Sequence, residues 1–101
     1  MRVRTIALAA AFCGFAATVF AADPNLARNL AATCSNCHGT DGKAVPGAGM
    51  ERLAGVDKAK ILEKLNDFRS GAKPATIMHQ ISKGYTDRQL EMIAEYFAAQ
   101  R

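Results

Sequence analysis

The chain predicts an all-α domain of three main helices, and three observations carry that reading. Apolar residues recur at helical spacing in three separate stretches, 26–34, 61–68 and 90–97. The long segment from Thr40 to Gly55 contains no strand-like alternation. Helix start and stop signals bracket the periodic stretches: Asp23-Pro24, Asp57 and Thr86 at the starts, Gly39 and Gly71 at the ends. With 101 residues there is room for one small domain.

The chain begins with a short basic segment, Met1-Arg2-Val3-Arg4, followed by no charged residue from Thr5 to Ala22. Val19-Phe20-Ala21 places small residues at the −3 and −1 positions of a signal-peptidase site. Residues 1–21 therefore read as a cleaved export signal and residues 22–101 as the mature domain. A retained anchor is the alternative, but the run is Ala-rich and at the short edge of spanning length. Cys13 does not read as a lipoprotein site, because Phe12 stands where a small residue is required, and so Cys13 leaves with the signal. Export places the domain in the periplasm, with no stable membrane insertion once the signal is gone. Losing Arg2 and Arg4 lowers the formal charge from +4 to +2, with the basic residues scattered. That excludes a nucleic-acid footprint.

In the mature chain, Asp23 caps a first helix and Pro24 suits its first position. Leu26, Leu30 and Cys34 form one apolar stripe, which should meet Ile93 and Tyr96 of the last helix. Gly39 and Gly42 break this helix. Thr40 to Gly55 reads as an extended, Gly-rich loop carrying Pro46, with Leu53 as its apolar contact. Asp57 caps a second helix bearing Ile61, Leu62, Leu65 and Phe68, closed by Gly71 and Pro74. A short turn or helix follows from about Ala75 to Ser82, stopped by Gly84. Thr86-Asp87-Arg88-Gln89 is a capping box for the last helix, with Tyr85 and Leu90 placed as a hydrophobic staple. Leu90, Ile93, Ala94 and Phe97 make its buried stripe.

The first helix ends in Cys34-Ser35-Asn36-Cys37-His38, a C-x-x-C-H run, which is the attachment signature of a c-type haem. Two thiols on one turn can each add to a vinyl group, and the following imidazole is then held beneath the ring with a nitrogen aimed at iron. A thioredoxin-like site would need a preceding strand, and the stretch before Cys34 is helical instead. A structural zinc site needs four ligands, and beyond Cys34, Cys37 and His38 the only other histidine is His79. One covalent haem c is thus the expected cofactor. A large apolar body of this kind also supplies the core that an 80-residue mature chain builds only marginally. The loop after the motif is suited to accept the free N–H of His38 and fix its ring. A plain flexible connector is the alternative.

A haem fixed by His38 leaves one face to fill, and Met50, Met78, Met92 and His79 are the candidates. Met92 lies off the buried stripe of the last helix. Met50 follows His38 by only twelve residues, in the loop assigned to the proximal side. Met78 lies forty residues on, between two helices and flanked by Ile77 and Ile81, where the chain can cross to the other face. Met78 is the expected sixth ligand, with His79 or an open position as alternatives. Thioether opposite imidazole closes the iron to substrate and raises its potential, the arrangement of an electron carrier. The exposed ring edge is expected near Gly42 to Ala48, beside Lys43.

Over its mature length the chain resembles the small class I, monohaem c-type cytochromes, in the order Cys34-x-x-Cys37-His38-Gly39, Pro-bearing loop, Met, and terminal helix with Tyr96-Phe97. The resemblance implies the class I cytochrome c fold, thioethers at Cys34 and Cys37, and axial ligation by His38 and Met78. Phe68-Arg69-Ser70-Gly71 and the run from Thr76 to Asp87 are similar to the cytochrome subunit of sulfide-oxidising flavocytochrome c. That implies a redox protein partner, a flavoprotein subunit being one form of it. The chain departs from the two-haem forms of that subunit in having one C-x-x-C-H. The expected function is a periplasmic one-electron carrier and not an enzyme. A haem enzyme or gas sensor with an open or labile sixth position is the alternative.

Overall fold

The computed structural model describes residues 22–101 together with Ala11 and Gly14, so apart from those two the expected signal segment, 1–21, lies outside the described residues. Four helices follow one another: α1 (Leu26–His38), α2 (Lys58–Ser70), α3 (Met78–Lys83) and α4 (Asp87–Ala98), with a 3-10 turn at Thr40–Gly42. There is no strand among the described residues.

Each helix end has a local cause. Asp23 is not the helix cap, a position taken by Asn25 without a side-chain bond; its carboxylate instead accepts from the Asn25 amide at 2.8 Å in the preceding turn. Pro24 likewise sits in the turn before α1 and not at its first position, which Leu26 takes with Asn25 ahead of it. The Asp23 side chain accepts from the amide two residues on in an Asx turn, and the helix proper starts at Leu26, two residues after the expected position. At α2, Asp57 precedes the helix without a side-chain cap, and Gly71 closes it in the left-handed conformation. α4 carries the full capping box: Thr86 Oγ1 accepts from the Gln89 amide at 3.2 Å, and Gln89 Oε1 accepts from the Thr86 amide at 2.9 Å. The expected short helix before Gly84 is α3. Within it Ser82, fully buried, turns its hydroxyl onto the Met78 carbonyl at 2.5 Å, which satisfies a polar group that burial would otherwise penalise.

The core gathers Ile61 and Leu65 of α2 with Leu90, Ile93, Ala94 and Phe97 of α4. α1 crosses α4 as the stripe predicted, but the contact differs. Ala31 is the buried α1 residue, with Leu30, Cys34 and Tyr96 packed beside it, whereas Leu26 is 42% exposed. Ala31 and Ala94 are both small and both essentially fully buried, and small side chains let two helices approach closely. α2 packs on α4 and on α3. Tyr85 and Leu90 both join the core, as the staple requires.

The segment between α1 and α2 is held at its two ends. The carbonyl of Gly42 accepts from the amides of Leu53 (2.9 Å) and Ala54 (3.1 Å), folding the loop back on its own start. Asp41 has a positive φ of 55°, tolerated by its short polar side chain, which accepts the Tyr96 hydroxyl at 2.5 Å and so fastens this turn to α4.

Candidate haem site

A single cleft collects the residues that the sequence singles out. Its walls are the end of α1 (Thr33 to His38), the loop from Met50 to Val56, the inner face of α2, the segment from Thr76 to Ile81, and Ile93 and Phe97 of α4. Most of the lining is apolar: Leu53, Ile61, Leu65, Phe68, Ile77 and Ile81 contribute to it. Cys34, Cys37, His38 and Met78 all line this cleft, and so does Met50. His79 and Met92 do not.

His38 is braced as the loop reading anticipated. Its Nδ1 lies 2.7 Å from the main-chain carbonyl oxygen of Glu51. A carbonyl only accepts, so Nδ1 carries the proton, and in the neutral ring the lone pair is the one on Nε2. This is the ring state a metal-ligating histidine requires, and the contact fixes ring orientation as well as tautomer. The connector alternative for this loop is thereby set aside.

Cys34 and Cys37 are both free thiols, one half-buried and the other exposed. Burial pushes the Cys34 thiol up from its ordinary value, partly offset by a backbone hydrogen bond. A thioredoxin-like pair needs the opposite, a thiol depressed at a helix N-terminus. Here both thiols sit in the last turns of α1, at the negative end of its dipole. Zinc is no better served: among the described residues no group of three or more His, Cys, Asp or Glu converges. The donor set does fit a haem c, since two uncommitted thiols, an imidazole with a free Nε2 and a thioether share one apolar cleft.

The stretch expected to border an exposed ring edge is mixed in exposure. Gly42 is buried, while Lys43 and Val45 to Ala48 are exposed, with Val45 at 64%. Sequence reasoning did not anticipate Glu51. Its carboxylate pairs with Lys64 of α2, which chiefly holds that carboxyl below its ordinary value. No local signal marks such a pair, because the two residues are thirteen apart in different elements. Likewise the Tyr96–Asp41 bond spans 55 residues.

No family model matches the chain. Individual proteins do. The cytochrome subunit of sulfide dehydrogenase from Chlorobaculum tepidum is 35% identical over 91 residues, covering 83% of this chain and 81% of that protein. The thiosulfate dehydrogenase electron acceptor of Stutzerimonas stutzeri is 38% identical over 68 residues, covering 67% of this chain and 32% of the relative. Cytochrome c4 of Pseudomonas aeruginosa is 32% identical over 81 residues, covering 80% of this chain and 40% of the relative. The chain therefore spans less than half the length of two of these three relatives. With an all-helical fold, a C-x-x-C-H run at the edge of an apolar cleft and relatives that are cytochromes, the chain belongs to the small c-type cytochromes, electron-transfer proteins and not enzymes.

Proposed function

We propose that the chain is a periplasmic one-electron carrier with a single haem c, attached through Cys34 and Cys37 and ligated axially by His38 and Met78. The observation that carries this reading is the convergence of both thiols, the braced imidazole and the Met78 thioether on one apolar cleft. When bound, the haem supplies a metal that exchanges one electron without exchanging atoms. The chain's own residues do the rest. His38 presents Nε2 while Glu51 holds its other nitrogen, and Met78, the first residue of α3, offers the remaining soft donor. Ile61, Leu65, Ile93 and Phe97 exclude water, and an apolar surround favours the less charged iron state.

One haem follows from the single C-x-x-C-H run. Residues 1–21 serve as the export signal and 22–101 as the haem domain; among the described residues no helix is long and apolar enough to cross a membrane. The partner is a redox protein of the dehydrogenase kind, a reading supported by the names of the Chlorobaculum and Stutzerimonas relatives, and a sulfide-oxidising flavoprotein subunit is the form of it we propose.

Near-infrared absorbance of the ferric protein tests the ligand set. A Met–iron charge-transfer band that disappears in Met78→Ala is the expected result. A band that survives the substitution overturns Met78. High-spin iron that binds carbon monoxide or cyanide rapidly in the wild-type protein overturns the carrier reading in favour of an open-site protein.

A further inference from the structure

Residues 44–52 lead into the cleft, which they line from Met50 on, and they are sparsely tied down. They hold one internal hydrogen bond, from the Ala48 amide to the Val45 carbonyl at 3.1 Å. Among the described hydrogen bonds and ion pairs, two links join them to the rest of the molecule, and both are made by Glu51. Its main-chain oxygen accepts from His38 at the end of α1, and its side chain pairs with Lys64 in the middle of α2. α1 and α2 each pack on α4 and lie on separate walls of the cleft. Glu51 therefore spans from one wall to the other.

We propose that the Glu51–Lys64 ion pair is a positioning device for His38: it anchors to α2 the one carbonyl that holds the imidazole's tautomer and orientation. The assignment rests on His38 being the axial ligand. A carbonyl in an otherwise untethered loop segment would swing away from Nδ1 as the segment moved. With the side chain of the same residue clamped to a helix, that movement is restrained at the peptide that matters. Both side chains are partly exposed, 37% for Lys64 and 55% for Glu51, so the clamp is modest in strength. Its effect is local: it biases the Glu51 carbonyl and has little hold on the core.

The test is solvent exchange of the His38 Nδ1 proton, followed by NMR in the haem-loaded ferrous protein. Lys64→Gln and Glu51→Gln are each expected to speed that exchange about two- to fivefold, the factor an exposed ion pair supplies. The double variant should show no further increase, and Lys64→Arg, which can re-form the pair, should restore the wild-type rate. The amides of Leu53 and Ala54, bonded to Gly42, report on the loop's other anchor and should not change. Unchanged exchange at Nδ1 overturns the proposal, as does acceleration of the Leu53 and Ala54 amides in step, which would mean general loosening. If Glu51→Gln fails to accumulate in the loaded form, Lys64→Gln carries the same expectation alone. A wild-type ferrous spectrum that is not low-spin would remove the axial-ligand reading itself; unchanged exchange in a low-spin protein removes only the clamp.

Discussion

Replacing Gly42 by Ala is expected to destabilise the haem-loaded protein by about 2–5 kcal/mol, and the structure separates two contributions to that figure. Gly42 has φ +75°, and an L-residue in the left-handed region costs roughly 1–2 kcal/mol. Space is the second contribution. A Cβ there would lie 2.7 Å from Phe97 Cδ1, 2.9 Å from Leu53 Cβ and 3.0 Å from the Ala54 amide nitrogen. None of these is a floppy side-chain end: Phe97 is fully buried, and Ala54 N is the donor bonded to the Gly42 carbonyl. Overpacking of this kind typically adds about 1–3 kcal/mol. The control lies in the same loop. Gly47 has φ +81° but nothing within 4 Å of its would-be Cβ, so Gly47→Ala should show the backbone cost of about 1–2 kcal/mol and nothing more. Denaturant unfolding of both variants, followed by far-UV circular dichroism and by haem absorbance, gives the comparison. Equal losses at the two sites would refute the reasoning, because they would show that the Gly42–Phe97–Leu53 contact does not constrain the turn.

Two other substitutions probe how the site is mounted. Tyr96→Phe removes the hydroxyl that Asp41 accepts, and should cost about 1 kcal/mol in the same unfolding assay. The hydrogen bond to Asp41, then burial, raises the Tyr96 phenol above its ordinary value, so the folded state favours the protonated form. That stabilisation is complete below the unfolded value near 10 and is lost as pH rises through the folded value. A wild-type alkaline decline of stability that Tyr96→Phe lacks is the expected pattern. Thr86→Ala deletes half of the capping box of α4 and should cost about 0.5–2 kcal/mol, with Thr86→Ser recovering most of it.

What the sequence made legible was what depends on near neighbours. The capping box at Thr86 and Gln89, the apolar stripes of α2 and α4, and the C-x-x-C-H run are all patterns within a few residues, where helix geometry dictates which side chains meet. The His38 brace was also foreseen in kind, since a haem-ligating imidazole needs an acceptor and the backbone of the following loop could offer one. Which carbonyl would serve was not foreseeable, because it depends on how the loop folds back onto Gly42. The α1–α4 crossing illustrates a different limit. Its periodicity pointed to Leu26, Leu30 and Cys34, yet the fully buried residue is Ala31, with Leu30 and Cys34 partly buried and Leu26 exposed. Hydrophobic spacing identifies a face; how the partner helix packs on it decides which residue on that face is covered. Pro24 fell in the turn before α1, which begins at Leu26 after the Asp23–Asn25 Asx turn, a boundary two residues from the one its cap signal marked.

The central claim, that Cys34 and Cys37 hold one haem covalently, is tested most directly by mass spectrometry of the protein purified from the periplasm and denatured in acid. The account predicts a chain starting at Ala22 that carries the mass of one haem, located by digestion on the peptide containing Cys34 to His38. A denatured chain that has lost the haem and shows two titratable thiols would contradict it.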